Sequence, residues 1–156
     1  MRKLKVLIGA EESVFCDVKK AAREFWGCDA VIAPDGKQVC AALRTGNFDL
    51  CILDWDLPRM SGLAVCHWIR SVNLKTQPFI VVLTEKARPE QINAAYTAGA
   101  NDFLTKPFNA EDLHFRVSTL AQTISQRDLA SRQLTRIDPL ELYRRDLRVP
   151  KIPSRF

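Results

Sequence analysis

The chain has 156 residues, of which 47% are hydrophobic and 26% charged, with a formal net charge of +5. That length and apolar content suit one globular domain with an appendage. The apolar runs are strand-sized, far short of the roughly 20 residues that span a bilayer, and "MRKLKVLIGAEES" meets acids too early for a secretory leader, so a cytoplasmic protein without membrane association is expected.

In chain order, "KVLIGA" leads into a helix-period stretch from Glu12 to Trp26, "DAVIA" into Lys37 to Arg44, and "DLCILD" into Leu63 to Val72. "FIVVLT" then precedes Glu90 to Ala98, and "DFLTK" precedes Ala110 to Ile124. Within the helical stretches apolar residues recur at the 3.6 period, as Val65, Trp68 and Ile69 do, and again as Leu113, Val117, Leu120 and Ile124. Alternation of this kind predicts an α/β fold, a five-stranded parallel sheet covered on both faces. Right-handed crossovers leave the doubly wound order 2-1-3-4-5 as the natural topology. Cys16, Cys28, Cys40, Cys51 and Cys66 are odd in number and contain no CxxC pair, so neither a disulfide framework nor a zinc site is suggested.

The strand order brings distant residues to one rim. Glu11 and Glu12 follow the first strand, Asp54 closes the third, Thr84 the fourth, and Lys106 follows the fifth. Carboxylates gathered there repel one another and recruit a small divalent cation. Magnesium suits them, because it keeps several waters and takes one or two carboxylates plus phosphate oxygens. An aspartate is a competent nucleophile towards phosphorus, and a Lys ammonium and a Thr hydroxyl match the oxygens of a phosphoryl group.

The segments "CILDWDLPRMSG", "VVLT" and "AGANDFLTKPF" together resemble the receiver domain of two-component response regulators, of the single-domain, chemotaxis-regulator-like kind, over roughly residues 4–122. The resemblance implies a flavodoxin-like receiver over residues 1–122, with Asp54 accepting a phosphoryl group from a histidine kinase or phosphotransfer protein. Thr84 and Lys106 would be its catalytic partners, and Thr84 and Phe103 the switch pair. The magnesium ligands would be Glu11, Asp54 and the main-chain carbonyl of Asp56, with Glu12 a further candidate. The resemblance also implies a cis Lys106-Pro107 peptide, no enzymatic turnover beyond the chain's own phosphorylation and dephosphorylation, and signalling by protein contact. The contact surface would be the face built from Glu90–Ala98, "DFLTK" and Ala110–Ile124, meeting a downstream protein or a second copy.

Two positions depart from that family. Ala10 and Glu11 align with the usual pair of acids, and Glu85 stands where a small residue follows the threonine, so magnesium affinity is expected to be weakened. The alternative is a phosphate-independent pseudo-receiver adaptor. The "DWD" also resembles the DxD of haloacid-dehalogenase-type phosphatases, but that motif closes the first strand of their fold, whereas two βα units precede it here.

The basic surplus lies in the C-terminal extension, residues 123–156. A helix is expected to run on to about Arg136 and to end before Pro139. Arg127, Arg132, Arg136, Arg144, Arg145 and Arg148 are candidate contacts for an acidic partner such as cyclic di-GMP, against a plain solvated or disordered end. Nothing in the extension resembles a helix-turn-helix, so sequence-specific DNA binding by this chain is not expected. "RIDPLELYRR" has a faint likeness to the opening of diguanylate cyclase domains.

Overall fold

The computed structural model describes residues 4–27, 30–86 and 88–136. The apolar runs form one parallel sheet of β1 (Val6–Gly9), β2 (Val31–Ala33), β3 (Leu50–Asp54), β4 (Phe79–Thr84) and β5 (Asp102–Thr105), in the order β2-β1-β3-β4-β5. All of β1 and β3 is buried, as expected of strands covered on both faces, while the edge strand β2 exposes Val31.

Five helices alternate with the strands: α1 (Glu12–Ala21), α2 (Gly36–Thr45), α3 (Gly62–Ser71), α4 (Pro89–Ala98) and α5 (Ala110–Arg136). Local chemistry fixes where they start. The Asp35 carboxylate accepts from the Gln38 N–H at 2.8 Å, Ser61 Oγ from the Ala64 N–H at 3.1 Å, and Asn109 Oδ1 from the Asp112 N–H at 2.8 Å. Pro89 opens α4, where its missing N–H costs nothing, and Gly99 closes it at φ +113°. Instead of staying α-helical to Trp26, the first helix widens into a π-helical turn over Ala22–Trp26. That turn lays Phe25 flat on His114 of α5, with ring centroids 4.3 Å apart.

Because successive strand residues point to opposite faces, the sheet divides the core in two. Leu7, Cys51, Leu53, Ile80 and Val82 pack with Val39, Leu43, Val65 and Ile69 of α2 and α3. Val6, Ile8, Leu50, Ile52, Val81 and Leu83 pack with Val14 and Val18 of α1 and with Leu113 and Val117 of α5. At the end of α3, Arg70 braces the opposite edge of the sheet from Asp54. Its guanidinium donates to the carbonyls of Gly99 and Pro78 and to the side chains of Gln77 and Asn101 at 2.9 to 3.1 Å. Asn101 Oδ1 in turn accepts from the Ile80 N–H at 2.8 Å. The chain divides into two units, Met1–Ala121 and Gln122–Phe156, and the sheet lies in the first. Among the described residues no helix is long and apolar enough to cross a membrane.

The loop between β3 and α3 returns directly onto the backbone of Asp54. The Gly62 N–H donates to the Trp55 carbonyl at 3.0 Å, and a Cβ on Gly62 would press into the carbonyl of Asp54. Gly62→Ala is therefore expected to lower unfolding stability by about 1–3 kcal/mol in urea titration; an unchanged midpoint would show that the loop has slack. Burial raises the thiol pKa of Cys40 and Cys51 and lifts that of Cys66 to about 11, whereas Cys16 is exposed. Iodoacetamide at about pH 8 is expected to alkylate Cys16 in the native protein and to spare Cys40, Cys51 and Cys66 until denaturant is added. Native labelling of the three, read by peptide mapping, would contradict that packing.

Candidate functional site

Asp54 is the last residue of a strand that is otherwise wholly apolar, and only 3% of it is exposed. A carboxylate so buried needs partners for both oxygens. Lys106 Nζ lies 2.8 Å from Oδ2, and the Asp56 N–H donates to Oδ1 at 3.1 Å. Strand register explains how Lys106 arrives. Asp54 pairs with Leu83, Thr84 pairs with Thr105, and the Lys106 N–H donates to the Thr84 carbonyl at 2.8 Å. Asp54, Thr84 and Lys106 thus stand at the C-terminal ends of three neighbouring strands, the edge at which open α/β sheets bind ligands. The Lys106-Pro107 peptide is cis, as the resemblance implies.

Thr84 is also buried, but its hydroxyl is engaged by Lys86 rather than by Asp54. It donates to the Lys86 carbonyl at 3.1 Å and accepts from the Lys86 N–H at 3.2 Å, closing the turn after β4. Glu11 and Glu12 are exposed at the start of α1, and Glu11 makes no side-chain cap there. Ala10, beside them, is fully buried. Among the described residues no three His, Cys, Asp or Glu side chains gather as a metal ion would require. The oxygen donors expected there are the Asp54 carboxylate, the Asp56 main-chain carbonyl and the Glu11 carboxylate, of which Asp54 is buried and Glu11 exposed. Oxygen donors of this kind are the type magnesium takes, with one acid fewer than the usual pair because the Ala10 side chain carries no oxygen.

Phe103 is half-buried between α4 and α5. Tyr96 meets it edge-on, with centroids 6.1 Å apart, and the Arg116 guanidinium sits 5.7 Å from its ring centre. Arg116 donates to Asp102 Oδ1 at 2.7 Å, and the same oxygen accepts from the Phe103 N–H at 2.8 Å. Burial, and secondarily Asp102, raise the phenol pKa of Tyr96. Sequence periodicity gave no sign of this arrangement. Beside Lys106 opens a cleft of about 480 Å³, lined by Val14, Asp17, Glu85, Lys106, Pro107 and Phe108. Of these, Asp17 had no motif to mark it. In the second unit, Arg127 is half-buried on α5 and Arg132 and Arg136 belong to the same helix, while Arg144, Arg145 and Arg148 lie outside the described residues.

Comparison with known proteins agrees with the fold. The family model of the response regulator receiver domain matches residues 6–118. The chain is 36% identical over 115 residues to the probable transcriptional regulatory protein TcrX of Mycobacterium tuberculosis, a match covering 74% of this chain and 48% of TcrX. The chain therefore spans about half the length of that relative. The structure of the chemotaxis response regulator CheY4 of Vibrio cholerae superposes with a TM-score of 0.70 at 26% identity, covering 76% of this chain and 99% of CheY4. The receiver domain of a sensor histidine kinase from Pseudomonas aeruginosa, solved with a magnesium ion in its active-site cleft, shares the fold at a TM-score of 0.67 and 23% identity, covering 80% of this chain and 99% of that domain. With the 2-1-3-4-5 sheet in place and the family model matched across it, the chain belongs to the response regulator receiver domains of two-component signalling.

Proposed function

We propose that this receiver accepts a phosphoryl group on Asp54 from a histidine kinase or phosphotransfer protein. The observation that carries the reading is the 2.8 Å contact between Lys106 Nζ and Asp54 Oδ2 at the C-terminal edge of the sheet. An Asp54 oxygen bonds to the phosphorus of a phosphohistidine, the P–N bond breaks, and the imidazole leaves with its electron pair and takes up a proton. Lys106 balances the charge carried on the acceptor, and the Asp56 N–H holds the carboxylate in place. Thr84 exchanges its Lys86 partner for a phosphoryl oxygen. Asp54, the Asp56 carbonyl and Glu11 would hold magnesium, which supplies further neutralisation of the phosphoryl charge when bound.

The signal leaves through Phe103 and the face of α4, β5 and α5, by contact with a downstream protein or a second copy, in the cytoplasm where the donors reside. Residues 1–122 form the receiver, and the extension over residues 123–156 offers arginines to an acidic partner. The second reading, an adaptor that signals without phosphate, draws on the buried Ala10 and on Glu85 in the cleft.

Incubation with acetyl phosphate and Mg²⁺, followed by intact mass spectrometry, is expected to add one phosphoryl group to the wild type and none to Asp54→Asn. No addition to either would favour the adaptor. Ala10→Asp restores an acid beside the site, so it is expected to tighten Mg²⁺ binding about tenfold, read as fluorescence of the neighbouring Trp55. An unchanged titration would show that Ala10 does not limit the donor set.

A further inference from the structure

The cleft beside Lys106 has a charge balance that bears on which donor the site takes, an inference that rests on the phosphoacceptor reading above. Thr84 and Thr105 are register partners on β4 and β5, so Glu85 and Lys106 leave adjacent strands side by side. Asp17 faces them from α1, and Val14, Pro107 and Phe108 complete the walls. Among the described lining residues Lys106 is the one cation, and its ammonium is already held by Asp54 at 2.8 Å. Two exposed carboxylates, Asp17 and Glu85, are left over. Apolar walls around them concentrate their field in the cleft.

We propose that Asp17 and Glu85 act as a charge filter on the phosphodonor. They disfavour a free dianionic donor and favour a phosphoryl group that arrives with positive charge beside it, as on a protein histidine flanked by Lys or Arg. Such a cationic side chain fits the cleft chemically, because its aliphatic stem can lie on Val14, Pro107 and Phe108 while its head meets the two carboxylates.

Two small donors of different charge separate the electrostatic effect from a steric one. Acetyl phosphate is a dianion near neutral pH: its phosphorus bonds to an Asp54 oxygen, the bridging P–O bond breaks, and acetate leaves. Phosphoramidate is a monoanion: its P–N bond breaks and ammonia leaves from the protonated nitrogen. Initial rates at low ionic strength, followed by intact mass, are compared for the wild type, Glu85→Gln and the Asp17→Asn/Glu85→Gln double variant, with Asp54→Asn as the blank. The double variant is expected to gain about three- to tenfold with acetyl phosphate and about twofold or less with phosphoramidate. Added salt is expected to speed the wild type with acetyl phosphate and to leave the double variant nearly unchanged. Equal gains with both donors, or no gain with either, would overturn the filter while leaving Asp54 as acceptor. No mass gain in any form from either donor would overturn the acceptor reading, and the filter with it.

Discussion

A buried carboxylate at the end of an apolar strand has to be answered by a cation, and the arrangement of this sheet supplies one. Asp54 and Lys106 are 52 residues apart in sequence, yet their side chains meet at 2.8 Å with little exposure to water. Removing one member of such a pair leaves the other charge uncompensated, at a cost on the order of 3–5 kcal/mol. The contact forms with β4 lying between β3 and β5 in one register, and the β3–α3 loop folds back onto the Asp54 main chain at Gly62. Fold and candidate site are therefore one set of constraints, and the residue proposed to react is also one that the core must accommodate.

Much of this was legible because the relevant signals are local. Five aliphatic runs separated by helix-period stretches left few topologies, and β4 falls on the residues of "FIVVLT". Asp54, Thr84 and Lys106 could be placed on one rim because each ends or follows a strand. The π-helical turn over Ala22–Trp26 was not legible, since a pattern read at 3.6 residues per turn carries no sign of one inserted residue. Nor were the contacts around Phe103: Arg116 and Tyr96 reach it from two different helices, and their pairing depends on how those helices pack on β5. Asp17 reads as an ordinary solvated acid on α1, and only the cleft shows what it faces. Arg70 likewise reads as a surface charge, although it ties α3 to the segments that open β4 and β5.

The proposed switch starts from the hydrogen-bond state of Thr84. Its hydroxyl closes a turn with Lys86 while both oxygens of Asp54 are occupied by Lys106 and Asp56, so the site is internally satisfied. A phosphoryl group on Asp54 would add oxygens that compete for the same donors. That competition is the differential interaction a two-state switch needs, since a ligand shifts an equilibrium only by binding one state better than the other. Phe103, held between Tyr96 and Arg116, lies on the strand next to Thr84, and in the proposed switch it carries the rearrangement to α4 and α5.

Everything proposed for this receiver turns on the identity of the acceptor atom, and borohydride reduction reads it directly. An aspartyl phosphate is an acyl phosphate, which borohydride reduces to homoserine, whereas a phosphate ester on Ser, Thr or Tyr is left intact. Peptide mapping of the phosphorylated, reduced chain should place homoserine at position 54. Homoserine at another aspartate, or a modification that survives reduction elsewhere, would contradict the assignment of Asp54 as the acceptor.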